Sequence, residues 1–263
     1  MSRELDPDDL LERSQWDFFW VPEDVRVVDR PELLYVSCPR DVQYLNYVTR
    51  TRAEAPRLPA LVDEVVGAHA NVRSRWLVRT MPGHRELERA LAIGGYTPAV
   101  QAETRVVAVD DYRREAADEL RVRAVSTRQE LEDCIRVQEA AFGDTRAHTE
   151  AEIEAFLADC TRPGRRVVRY VAYDRETDRP VATGCMTAFA DLRFGLLWGG
   201  GTVAEARGRG AYTTLVATRI AAARRLGLTH VGLYALVDTS APIVAKQGFR
   251  CHGTMRYWDH APD

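Results

Sequence analysis

The stretch Gly199-Gly200-Gly201-Thr202-Val203-Ala204-Glu205-Ala206-Arg207-Gly208-Arg209-Gly210-Ala211-Tyr212-Thr213-Thr214-Leu215 has the residue types of an anion cradle. It begins at the end of a β-branched and aromatic run, passes through an Arg/Gly turn and enters an Ala/Leu-rich helix. Gly208 and Gly210 let backbone N–H groups come close to an anion. The unpaired N–H groups and positive dipole end of the following helix face the same spot. Arg207 and Arg209 add charge that is fixed at any physiological pH. Such a turn can hold a phosphate. The plain alternative is a solvated basic turn between a strand and a helix.

The elements that must position this turn read off the chain in order. In the first half, Asp6-Pro7-Asp8-Asp9 is an acid-rich helix start, and Leu10, Leu11, Trp16 and Phe19 give the helix over 7–20 an apolar face. Strand signals follow at 25–28, 33–36 and 45–48. Leu61, Val62, Val65, Val66 and His69 recur at helical spacing. Residues 75–78 suit a buried strand, 86–93 a short helix closed by Gly94-Gly95, and 104–109 a last strand. The charged run 110–115 lacks apolar periodicity and marks a domain junction. In the second half, a strand at 120–125 precedes a helix with Thr127 near its cap and a second helix over 149–160. Strands at 167–173 and 181–189 flank the polar turn 174–178. Residues 194–198 lead into the pivotal turn, and a helix runs from Tyr212 to Arg225. A strand at 230–236, a short helix at 242–246 and a final strand at 251–258 complete the chain.

At 263 residues the chain has length for one large domain or two ordinary ones. It is 46% hydrophobic and 29% charged, as expected of a globular protein. The formal net charge of -3 gives no reason to expect nucleic acid or an anionic membrane as partner. No apolar run approaches the ~20 residues of a membrane span, and the acidic N-terminus does not read as a signal peptide. Cys38, Cys134, Cys160, Cys185 and Cys251 lack C-x-x-C spacing. They read as reduced thiols of a cytoplasmic protein, with no disulfide framework and no metal site.

The segment Arg207 to Tyr212 resembles the acyl-CoA pyrophosphate loop of the GNAT N-acetyltransferase superfamily, whose pattern is Gln/Arg-x-x-Gly-x-Gly/Ala. Arg207 and Gly210 match, and the sixth position holds Tyr212 instead of Gly or Ala. The strand, helix and Gly248-Phe249 ending stand where the family has them, and the resemblance covers about residues 118 to 258. It implies an α/β (α+β) fold with a mixed, mostly antiparallel sheet flanked by helices. It also implies acetyl-CoA as cosubstrate without a metal. Main-chain groups of Gly201, Thr202 and Val203 would then pair with the pantetheine arm. Arg207, Gly208, Arg209, Gly210, Ala211, Tyr212 and Thr213 would take the pyrophosphate, and Ser240 and Lys246 would border the arm and its phosphates.

The second half echoes the first at an offset of 153 residues, pairing Gly95-Tyr96 with Gly248-Phe249 and Val62 with Leu215. The expected organisation is two GNAT-like domains: a truncated, degenerate one over 1–115 and the acyl-CoA-binding one over 118–263. At this offset Arg207, Gly208, Arg209 and Gly210 fall on Glu54, Ala55, Pro56 and Arg57. A carboxylate stands where a cation is needed and a proline removes a donor. The first half is therefore expected to act as scaffold or substrate wall.

Acetyl transfer to an amine needs the thioester held beside the amine, a neutral amine, and donors for the oxyanion and leaving thiolate. Many relatives carry a tyrosine acid two residues before the Lys-x-Gly-Phe ending. Here that position is Val244. Tyr234 and Ser240 are the candidate substitutes, with Tyr212 behind them, and each is also a plausible packing or capping residue. For the base, Phe194 to Gly201 contains no acid, and Glu205, Asp238 and His252 are bystanders as readily as catalysts. The leading reading is an N-acetyltransferase acting on a primary amine of a small molecule, with a homodimer allowed. The alternative is a non-catalytic acyl-CoA sensor or regulator, and a third reading is a degenerate structural domain.

Overall fold

The structure is a computed structural model that describes residues 6–143 and 148–262. Its elements in chain order are α1 (Pro7–Arg13), β1 (Arg26–Arg30), β2 (Leu33–Ser37), β3 (Tyr47–Thr51), α2 (Leu58–Ala68), β4 (Ser74–Arg79), α3 (His84–Ile93), β5 (Thr97–Ala108), β6 (Leu120–Ala124), α4 (Arg128–Phe142), α5 (Glu150–Thr161), β7 (Val167–Asp174), β8 (Pro180–Phe189), β9 (Phe194–Thr202), α6 (Ala211–Arg225), β10 (His230–Leu236), α7 (Ser240–Ala245) and β11 (Arg250–His260).

The helix expected over 7–20 stops at Arg13 because side chains compete for the backbone. Ser14 Oγ donates to the Leu11 carbonyl, and Asp17 accepts from the Phe19 N–H. The strand expected at 45–48 begins only at Tyr47, since Gln43–Leu45 wind into a 3-10 turn. Asn46 fixes that turn by accepting from Cys38 N–H and donating to the Arg40 and Val42 carbonyls.

The chain forms two compact units. The first comprises 1–104, 234–241 and 251–263, and the second 105–233 and 242–250. In unit 1 the strand order is β1-β2-β3-β4-β11. The ladders are antiparallel except β3 against β4, which is parallel and covers only Tyr47↔Arg75 and Val48↔Trp76. The final strand, expected to close the second half, instead pairs with β4 from Met255↔Arg79 to His260↔Ser74. Packing decides this. Trp258 is buried among Trp76, Tyr96, Leu61, Val65 and Leu91, and Arg75 grips Asp259 through two bonds of 2.7 and 2.8 Å. Trp76 is fully buried and its Nε1 donates to Thr51 Oγ1 at 2.8 Å.

In unit 2 the order is β10-β9-β8-β7-β6, with β10/β9 parallel and the other ladders antiparallel. A Cβ at Gly201 would meet Ala141 and Phe142 of α4, whereas one at Gly200 would meet Tyr212 of α6. Neighbouring residues of a strand face opposite ways, so α4 and α6 cover opposite faces of this sheet. Both α4 and α5 start with a capping box, Thr127 with Glu130 and Thr149 with Glu152. Thr127→Ala should cost about 1 kcal/mol of unfolding free energy in urea titration. An unchanged midpoint would show that the Thr127 side chain contributes nothing there.

The first residues of α2 and α6, Leu58 and Ala211, stand at the offset read from the sequence. Each helix follows a strand and is followed by a strand parallel to it.

Candidate anion-binding site

β9 positions the turn. Its parallel ladder with β10 spans only Phe194–Leu196 against His230–Gly232, while its pairing with β8 continues to Thr202. Opposite β8, Trp198 pairs with Cys185 and Gly201 with Thr183, so Gly199 and Gly200 share the single partner Gly184. This is a β-bulge, and Gly199 takes the left-handed conformation it needs, φ 59°. Gly200 is required for a second reason. Its missing Cβ would lie 2.8 Å from the Tyr212 ring.

Past Thr202 a 3-10 turn over Ala204–Ala206 leads to Arg207, whose Nε donates to the Thr202 carbonyl at 3.3 Å. Gly208 and Gly210 are both left-handed, with φ 77° and 80°. Beyond the adjoining residues, no atom lies within 4 Å of the Cβ position at either. Gly210 is the N-cap of α6, no side chain caps the helix and no acid stands in its first turn. Alternating left-handed residues beside an uncapped helix start form a concave array of N–H donors open to solvent. Such an array can hold a phosphate group.

The other residues expected around this turn fall as follows. Arg209 does not stand free for an anion, because it pairs with Asp174 at 2.7 Å. Asp174 also accepts from the N–H groups of Thr177 and Glu176 and from the Thr177 hydroxyl. These bonds, Thr177 N–H first and Arg209 next, hold its carboxyl below the usual range. A lowered carboxyl adds stability above its unfolded value near 3.8 that is lost as the pH falls below that value. Asp174→Asn should therefore destabilise at neutral pH and match wild type in strong acid. A constant difference across both would exclude the ionised carboxylate as the cause.

Gly201 and Val203 are buried, and the Val203 N–H bonds the Val181 carbonyl at 3.0 Å. Tyr212 turns its ring inward, and burial raises its pKa. Ala211 is buried in the first turn of α6. Thr213 Oγ1 accepts from Gln247 Nε2 at 3.2 Å, and Gln247 Oε1 accepts from the buried Tyr112 hydroxyl at 2.8 Å. The Lys246 carbonyl accepts from Arg114 at 3.2 Å. Tyr234 and Ser240 belong to unit 1. Tyr234 packs with Leu77, Tyr47 and Tyr257, and Ser240 Oγ accepts from Leu236 N–H at 2.8 Å. Val244 is fully buried, Glu205 and Asp238 are exposed and His252 is half-buried.

Two cations escaped the reading of the sequence. Arg219, on the inner face of α6, is 1% exposed. Its Nε and Nη1 donate to the Leu215 and Cys185 carbonyls at 3.1 Å each, and Nη2 has no partner. Burial pulls its pKa down. Arg169 lies over the Phe156 and Trp198 rings, 5.5 Å from each centroid. An arginine among alanines and leucines reads as a surface residue, and only its burial tells otherwise.

No protein-family model and no curated protein matches this chain. Solved structures do. A GCN5-related N-acetyltransferase from Kribbella flavida superposes with a TM-score of 0.72 at 18% identity, over 98% of this chain and 96% of that one. A second, from Sphaerobacter thermophilus, gives 0.64 at 16% identity over 98% and 94%. A tandem GNAT protein from the clavulanic acid biosynthesis pathway gives 0.60 at 13% identity over 96% and 87%. The chain has the fold of the GCN5-related N-acetyltransferases. Among the described residues no helix is long and apolar enough to cross a membrane.

Proposed function

We propose that the protein is an N-acetyltransferase that moves an acetyl group from acetyl-CoA to a primary amine of a small molecule. The observation that carries this reading is the turn at Gly208 and Gly210, left-handed at both, opening onto the uncapped start of α6. Acetyl-CoA supplies a thioester, a reactive acyl donor with a good leaving group. The N–H groups from Gly208 to Thr213 would donate to its pyrophosphate, with the Arg207 guanidinium and Lys246 adding charge. The main chain of Gly201, Thr202 and Val203 would hold the pantetheine arm along β9. Tyr234 and Ser240 are the groups proposed to meet the departing thiolate. The Ser240 oxygen accepts a bond from Leu236, which leaves its own proton available for donation. In this proposal the acyl-CoA site lies within residues 118–263, and residues 1–115 serve as scaffold or substrate wall.

The second reading, an acyl-CoA sensor without turnover, is favoured by Val244, which is fully buried where relatives carry the tyrosine acid. One experiment separates the two. Acetyl-CoA is titrated calorimetrically into wild type and Arg207→Glu, and free thiol is then followed with an amine panel. Binding that weakens by at least about tenfold in the variant, ~1.4 kcal/mol, together with turnover supports the transferase. Binding without turnover on any amine supports the sensor. No binding to wild type overturns both.

A further inference from the structure

Unit 1 has a pocket of its own. β3 and β4 share only two paired positions and then separate, and a cavity of about 160 Å³ lies between their diverging ends. Among the described residues its wall carries three guanidinium groups, Arg50, Arg52 and Arg79, and one carboxylate, Glu12 of α1. Glu12 is 5% exposed. It accepts from Arg52 at 3.1 Å and from Arg79, so these cations already bind one carboxylate here. Two further polar groups in the wall are unused. Thr49 is 2% exposed and its Oγ1 has no partner. The Arg50 side chain is 10% exposed and its Nε has no partner, although Nη2 bonds Asp29 and the Arg30 carbonyl at 2.6 Å. The lining also includes Gly83, the left-handed N-cap of α3, and no side chain caps that helix.

A buried hydroxyl, a buried N–H and an uncapped helix start all ask for an acceptor-rich anion. The turn of unit 1 at Glu54 to Arg57 offers no left-handed residue, and Pro56 lies within it, so a pyrophosphate has no cradle. A cavity of this size takes about six non-hydrogen atoms, as a 150 Å³ cavity takes benzene. We infer that this cavity is a second ligand site, separate from the turn at Gly208 and Gly210, and that it binds a small aliphatic carboxylate of two to four carbons. The carboxylate lies beside Glu12, shares the edges of Arg52 and Arg79, and takes the open bonds of Arg50 Nε and Thr49 Oγ1.

The test is titration of butyrate into the full chain at constant ionic strength, by calorimetry and by ligand-observed NMR. 1-Butanol serves as the uncharged control. Wild type should bind butyrate and ignore the alcohol. Glu12→Gln removes a like charge and should bind about tenfold tighter. Thr49→Val should bind more weakly with the fold intact. The double variant Glu12→Gln/Arg79→Met removes both members of the Arg79–Glu12 pair and, with its fold verified by circular dichroism, should lose butyrate. Arg207→Glu should bind butyrate as wild type does. Absence of binding to both wild type and Glu12→Gln would overturn the site. So would equal uptake of the alcohol, or full retention of butyrate in the folded double variant.

Discussion

Gly200→Val should reduce acetyl-CoA affinity by at least about tenfold, ~1.4 kcal/mol, while leaving the protein folded. The cause is local. A Cβ at Gly200 would stand 2.8 Å from Tyr212 Cε2, far inside contact distance. Neither neighbour yields easily, because Tyr212 belongs to the first turn of α6 and β9 is tied to β8 as far as Thr202. The ring must therefore move, and it carries with it the N–H groups that the proposed site offers to the pyrophosphate. Overpacking of this kind costs about 1–3 kcal/mol of stability. Calorimetry with acetyl-CoA reads the first effect and urea unfolding the second. Affinity preserved in a destabilised variant would show that the Tyr212 ring position is irrelevant to the site.

The second large effect is a loss of stability in mild acid. His69 is 1% exposed, with Nε2 3.0 Å from the Val36 carbonyl oxygen and Nδ1 buried without a partner. Only a neutral ring fits, with Nε2–H donating to Val36. A second proton would have to sit on Nδ1, where nothing accepts it. Burial lowers the pKa to about 4, helped by the nearby His260 and opposed by the Val36 bond. The unfolded chain takes up this proton near pH 6.5, the folded one only near 4. Between these values unfolding binds a proton, so stability falls as the pH falls. The loss is about 2 kcal/mol from pH 7 to pH 5. His69→Gln cannot titrate and should flatten the slope, even if its baseline is lower. The same slope in both proteins would assign the acid sensitivity elsewhere.

What could be read from the residues was local. Thr127 followed by Glu130 is a capping box in any context, and the structure builds it. Arg207, Gly208 and Gly210 announce a turn followed by a helix, and both glycines take the left-handed conformation that only glycine adopts freely. Gly248 does the same before the buried Phe249. What stayed hidden depends on partners distant in sequence. Nothing near Arg209 shows that Asp174 will bind it. Tyr212 sits at the sixth position of the motif, but its inward ring is dictated by space above Gly200. The bulge at Gly199 and Gly200 depends on how β9 registers with β8, which alternation in one strand cannot report. The cavity beside Glu12 escaped for the same reason. Its wall is drawn from α1, β3, β4 and α3, and no single stretch contains it.

The pairing of β11 with β4 has a consequence for synthesis on the ribosome. Trp258 belongs to the same packed cluster as Trp76, Leu33 and Val48. Unit 1 thus joins residues up to Thr104 to a strand that starts only at Arg250. While residues 105–250 are being made, β4 lacks its neighbour and the Trp76 face stays open. That interval lasts on the order of ten seconds at the usual 5–20 residues per second. The nascent chain should therefore need protection by a chaperone, or protect itself by folding unit 2 first. A fragment ending at residue 115 would never complete the sheet of unit 1 and should be recovered only in aggregates.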